Sequence, residues 1–543
     1  MSHSLDHLVG VLHHGDGAGA HPRGWFRDGL GVSPDVRTVV DPQRCRMALL
    51  RRLLFVLLSL AILTVAGLVA LLLVVFAPVS TVGKVDFDQR LAIPALASSH
   101  VTADGTRVFD LTAQKGTTAL LPGKPASTWG FNGSYLGPTL RAARGEQVRV
   151  NVRNELDETT TVHWHGMHLP ARFDGGPHQP IEPGRTWSPH WRIDQPAATL
   201  WYHPHPHGET EDHINNGLAG MFILDEPDSP AVRQLPDKYG VDDIPLIVQD
   251  KRIDGGGEIQ DGGLGEDMLV NGTYGPYLDV ITQRVRLRLL NASVKRVFSF
   301  GFSDNRPFTM VASDGGLLPA PVSLQRLLLS PGERAEIVVT MSPGERVALR
   351  SYPSRLDMNA VAARSNGGGD QFDILELRSA NRLRPSPELP RQRLAPAPNL
   401  DVAAAHTRTF VMRGRDINGH SMDMSRTDET IALGSTEIWN VTNTDGEYHN
   451  FHAHDVQFQV LTLDGNPPPP QLSGWKDTVY LAPGRSVRLA MRFTDYADPN
   501  LPYMYHCHLL QHEDNGMMGQ FVVVRRGEQP SAPDQAAQVP LTR

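Results

Sequence analysis

Histidines in this 543-residue chain are clustered. Twenty-three occur, and 18 of them lie beyond residue 77. Chance placement at that frequency gives about one His-x-His pair. Five are present: His163/His165, His203/His205, His205/His207, His452/His454 and His506/His508. The last is the most informative, because it reads His506-Cys507-His508 and is followed by His512 and Met517. Successive side chains of a strand face opposite ways, so His506 and His508 point to one side and Cys507 to the other. A thiolate with two imidazoles and a weak axial thioether is the ligand set of a blue-copper electron-transfer site. The two histidines on the other face would then serve a second copper centre. Zinc fits this set poorly, and the chain has no HExxH sequence. Cys45 and Cys507 are the only cysteines, which excludes a disulfide framework and a four-cysteine metal cluster.

Four segments carry a resemblance: HWHGMHLP (163–170), WYHPHPHG (201–208), HNFHAH (449–454) and HCHLLQHEDNGMM (506–518). They resemble the multicopper oxidases, three-domain cupredoxin proteins that include laccases, ferroxidases and bacterial cuprous oxidases. TWGFNGSYLGPTLRA (128–142) and INGHSMDM (417–424) extend the likeness over nearly the whole region beyond the apolar segment. The resemblance implies four copper ions as cofactor. A type 1 copper would take His449, Cys507 and His512, with Met517 axial. A type 2 copper would take His163 and His452. A type 3 pair would take His165, His203, His205, His454, His506 and His508. Met518 competes for the axial role, but the ten-residue spacing from Cys507 favours Met517. His168 and His207 fall outside the family's ligand positions.

The implied reaction couples four one-electron oxidations of a small substrate to reduction of O2 to water, so protons must also be supplied. Asp174, in FDGG eleven residues after His163, matches the family's acid near the type 2 copper. Glu513 matches the acid that feeds protons to the type 3 pair. The substrate is expected to be a phenol, as in laccases, or a metal ion such as Cu(I). Asp445 fits one acid of the cuprous oxidases' substrate site, but Glu447 replaces a methionine, and Leu356–Phe372 holds only Met358 where those enzymes are Met-rich. A copper-free structural relative is the competing reading, and the full ligand set speaks against it.

The elements that must hold these residues read as strands. Runs such as QVRVNV (147–152), VRLRLL (285–290), AEIVVT (335–340) and GQFVVV (519–524) are rich in β-branched residues and bounded by turn formers. Three pieces share one layout, a turn followed by an alternating strand ending in Asn: residues 140–154, 278–291 and 431–443. The expected fold is all-β: three cupredoxin-like Greek-key β-barrel domains preceded by one transmembrane helix. The domains are expected at 83–228, 240–380 and 401–526, with a Pro-rich linker at 381–400 and a disordered tail at 527–543.

Residues 53–77 are 25 in number and carry no charge. A helix of that length spans a bilayer core. Arg44, Arg46, Arg51 and Arg52 precede it, which predicts a signal anchor with residues 1–52 cytoplasmic and disordered, and the β domains outside the cell membrane. Met47 is an alternative start. A net charge of −8 excludes a polycationic surface, so no nucleic-acid partner is expected; the partners are O2, the small reducing substrate and the membrane.

Overall fold

The computed structural model describes residues 41–75, 77–354 and 356–531. The expectations for residues 1–40 and 532–543 lie outside the described residues. The chain divides into an N-terminal unit ending at Val75 and a β-rich unit from Phe76 onward.

Among the described residues the N-terminal unit is one helix, Pro42–Val75. It begins eleven residues before the charge-free run, so residues 42–52 are helical and not disordered. The Asp41 carboxylate accepts from the Gln43 N–H and caps the first turn. Arg, Leu, Met and Ala are strong helix formers, so the helix of the apolar run propagates back through the basic cluster. Its large apolar side chains from Met47 to Val69 are exposed. It is long and apolar enough to cross a membrane.

In the β-rich unit the strands form three pairs of sheets around three apolar cores. The threefold layout read from the sequence is a corner at which the chain passes from one sheet of a pair to the other. Leu140–Ala143 leads to Gln147–Asn154, Pro276–Thr282 to Arg284–Asn291, and Glu429–Ala432 to Thr436–Asn443. In each copy the second strand runs parallel to an early long strand of its unit, Arg107–Leu121, Asp243–Lys251 and His406–Arg413 in turn. The corner strand in each copy runs parallel to a late strand. These two parallel pairings within largely antiparallel sheets give each unit a Greek-key path.

The terminal asparagine explains why the pattern recurs. Asn154, Asn291 and Asn443 are fully buried, and each amide donates to two carbonyls while its oxygen accepts a backbone N–H two residues on. One short side chain thus satisfies the orphan groups where a strand leaves its sheet.

Two stretches differ from the expected layout. Residues 79–91 bond to the second sheet pair and not the first: Gln89–Arg90 lies parallel to Pro276–Tyr277, and the Val79 N–H donates to Asp370. The strand Phe372–Arg384 runs into the expected linker, where Arg384 pairs with Thr282. The rest of that linker is mostly exposed, but Leu394 and Pro398 are buried.

Candidate metal centre

Strand alternation sorts the ligand candidates onto two sites. His163 and His165 flank Trp164 in a three-residue strand, and Trp164 enters the first core against Trp187 and Trp191. The two imidazoles therefore face the seam between the first and third sheet pairs. His163 pairs across the sheet with His203, and His452 with His506. The spacing of HNFHAH puts His449 on the face opposite His452 and His454. Cys507 likewise sits in the third core, while His506 and His508 face the seam.

Eight histidines meet in that seam, all buried to within 1 % exposure. Two trios that share no residue have ligand atoms within 4.8 Å of one another, His165, His203 and His508, and His205, His454 and His506; His454 also lies that close to His163 and His452. His163 and His452 form the remaining pair, with Nε2 atoms 3.5 Å apart. This division of the six type 3 candidates into two trios was not resolved by the sequence.

Outer nitrogens of several of these rings are held by acceptors, whereas neither nitrogen of His508 has a hydrogen-bond partner. His163 Nδ1 donates to the Asp174 carbonyl (2.9 Å), His203 Nδ1 to the Pro204 carbonyl (2.8 Å) and His452 Nδ1 to the Asp477 carbonyl (2.8 Å). His454 Nδ1 lies 2.7 Å from the Asp174 carboxylate. Glu513 brings one oxygen to 3.0 Å from His506 Nδ1 and the other to 3.3 Å from His205 Nδ1, although at angles poor for hydrogen bonding. With Nδ1–H turned outward, the inner Nε2 atoms carry lone pairs. His205 and His454 each face His506 Nε2 at 3.2 Å. Lone pairs this close repel in the absence of a cation, so the donor set fits bound metal. Burial holds seven of these rings neutral: His163 is lowered to about 3 and His508 to about 4, and His165, His203, His205, His452 and His454 lie well below the usual imidazole value.

The second site is built within the third unit. His449 Nδ1 and His512 Nδ1 are 3.1 Å apart, and Cys507 Sγ lies 3.6 Å and 3.7 Å from them. Burial pushes the Cys507 thiol up to about 12, so a bound soft cation is what would make it a thiolate. Met517 is fully buried in the same core cluster as Cys507, whereas Met518 pairs in register with His506. The Nε2 edges of the two histidines face the surface, where Asp445 Oδ2 lies 3.5 Å from His449 and Glu447 Oε2 lies 3.7 Å from His512.

Asp174 and Glu513 are both buried against the seam histidines. Burial raises Asp174 to about 6, whereas His506 and its neighbours outweigh burial and lower Glu513 to about 2. His207 is exposed, and His168 bridges Asp455 and Asp495 away from both clusters. Asp477 was missed. Its carboxylate lies 3.0 Å from His165 Nε2 and takes a two-pronged bond from Arg334. No spacing rule marks it, because its carboxylate meets His165 and Arg334 only where separate units come together.

Family profiles described as multicopper oxidase match residues 112–229, 264–367 and 393–527. The chain belongs to the multicopper oxidase family. Similar members include a multicopper oxidase of Staphylococcus haemolyticus, 35% identical over 80% of this chain and 92% of that protein. Another, named cell division protein FtsP, from Sodalis glossinidius, is 39% identical over 80% and 92%. A crystal structure of a laccase from Pediococcus acidilactici matches with a TM-score of 0.73 at 36% identity, covering 80% of this chain and 93% of that one. The cupredoxin-like β fold of this multicopper oxidase is thus shared with enzymes of the family.

Proposed function

We propose that this protein is a four-copper oxidase that couples one-electron oxidation of a phenol or a metal ion to reduction of O2 to two waters. The observation that carries this reading is the convergence of unprotonated imidazole nitrogens at 3.2–3.5 Å in a buried seam, beside a complete His–Cys–His site. His449, Cys507 and His512, with Met517, would hold the type 1 ion; His163 and His452 the type 2 ion; the two trios the type 3 pair. Copper bound there supplies one-electron acceptance at the first site and four-electron delivery to O2 at the second. Cys507 is peptide-bonded to a histidine of each trio, which keeps the two sites a few bonds apart. Asp174, which burial raises to about 6, would hold a proton beside the seam, the ionised Glu513 would take one up and pass it on, and burial of every ligand excludes bulk water. Asp445 and Glu447 place negative charge between the buried Nε2 edges of the type 1 histidines and the surface, which suits a cation or a phenol that must lose its proton. The proposed domains are 83–228, 240–380 and 401–526, with residues 83–91 and 381–384 belonging to the second. The apolar helix would anchor them outside the cell membrane, its arginines on the cytoplasmic side.

The relatives named for cell division favour a second reading, a structural role without oxidase chemistry. O2 consumption by copper-loaded protein with Cu(I), Fe(II) and a dimethoxyphenol tests between them. The oxidase reading expects sustained uptake with at least one donor. No uptake with any of them supports the structural reading.

A further inference from the structure

The second sheet pair supplies none of the candidate ligands, yet its turn at residues 330–334 reaches the seam. A Cβ on Gly332 would meet the His165 and His508 rings at 3.2 Å, so only glycine lets the turn approach the cluster. Two residues on, Arg334 is fully buried, and all five of its N–H groups are used. Nη1 and Nη2 donate to the two Asp477 oxygens at 2.6 Å each, Nε to the Thr199 carbonyl (3.0 Å), Nη1 to the Gly332 carbonyl (3.0 Å) and Nη2 to the Asp314 carbonyl (3.1 Å). Its partners thus come from all three sheet pairs. Gly166, next to His165, makes room for this pair: a Cβ there would lie 2.5 Å from Asp477 Oδ2 and 2.7 Å from Arg334 Nη2.

Asp477 in turn holds one ring from each outer unit. Its carboxylate receives His165 Nε2, and its carbonyl receives His452 Nδ1. His165 is oriented differently from its neighbours. His203, His205, His454 and His506 turn Nε2 to the cluster, whereas His165 turns Nδ1, 3.3 Å from His203 Nε2. A proton on the outer Nε2 is what leaves the Nδ1 lone pair free.

We propose that Arg334 is a positioning residue of the trinuclear site, clamping Asp477 so that His165 is held in the tautomer that presents Nδ1. The ligand-free middle unit is then part of the metal centre. Lys476, which binds Asp314 and Glu333, braces the clamp from behind, with the Asp314 carboxylate accepting the Arg334 N–H. This inference rests on the four-copper reading.

The test uses the full chain, copper-loaded, with Arg334→Lys and Asp477→Asn. Lysine keeps the charge but cannot fork both carboxylate oxygens and reach Thr199 together. Both variants should keep the blue absorption of the Cys507 site, which reports an intact third unit. Both should lose seam copper to a chelator about 10- to 100-fold more readily. Their type 3 ions should also become visible by electron paramagnetic resonance as the coupled pair is disturbed. Wild-type chelator resistance together with a silent pair in both variants would overturn the clamp, even with lowered melting temperatures. Should Arg334→Lys lose its blue band through misfolding, Asp477→Asn, which keeps the shape of the side chain, decides on the same two readouts. Absence of a blue band in the unaltered protein would instead overturn the oxidase reading.

Discussion

Single residues here do separable tasks. Cys507→Ser should abolish blue absorption and oxidation of the donor while seam copper is retained, because the eight seam histidines are untouched; absorption and metal analysis read the two effects apart. Glu513→Gln keeps size but removes the titrating group beside both His205 and His506. Turnover should fall by up to roughly 100-fold, the lower end of general acid–base contributions, with the blue band unchanged. Wild-type turnover in that variant would return Glu513 to a purely orienting role. His168 lies outside both clusters yet joins the first unit to Asp455 and Asp495 of the third. Despite its burial these carboxylates raise it to about 9. Burial pushes Asp455 up as well, so part of that gain is offset. A raised imidazole stabilises fully below its ordinary value near 6.5, and that stability is lost as pH rises through about 9. The net amount is about 1–2 kcal/mol. Melting temperature should therefore fall between pH 7 and 10, and His168→Gln should flatten that dependence.

Elements carry the repetition. Each corner asparagine bonds two carbonyls and one N–H in full burial, so Asn291→Ala should cost roughly 2–4 kcal/mol, one to three for each stranded group less what the site can relax. Asn291 lies in the unit without ligands, so denaturant unfolding should shift while the blue band per folded molecule stays the same. These corners were legible in sequence because turn, alternation and asparagine are all local signals. The clustering of the histidines was a local signal too, whereas the role given to each ligand candidate came from the resemblance of four motifs to the family's. Pairings between distant segments were not legible. Nothing in residues 79–91 marks Pro276–Tyr277 as their partner, and Arg334 and Asp477 look like ordinary charges until three units close around them. The helix start was misplaced for a different reason: a charge-free run marks the apolar span, whereas the helix itself extends as far as its capping residue, Asp41.

At the scale of the molecule, the chain joins a long exposed apolar helix to a β-rich oxidase fold. If the helix anchors the protein, it should stay in the membrane fraction after an alkaline wash and come off only in detergent, whereas a chain starting at residue 79 should be soluble and keep its blue band. Recovery of the unaltered protein in the wash would count against anchoring. The account depends most on whether the two buried sites hold metal that reacts with O2. The most direct measurement is copper content together with O2 uptake on the same full-length, copper-loaded sample. About four copper ions per chain, with uptake sustained by Cu(I), Fe(II) or a dimethoxyphenol, is the predicted result. A folded protein that retains no copper, or holds it and consumes no O2 with any of the three, would contradict it.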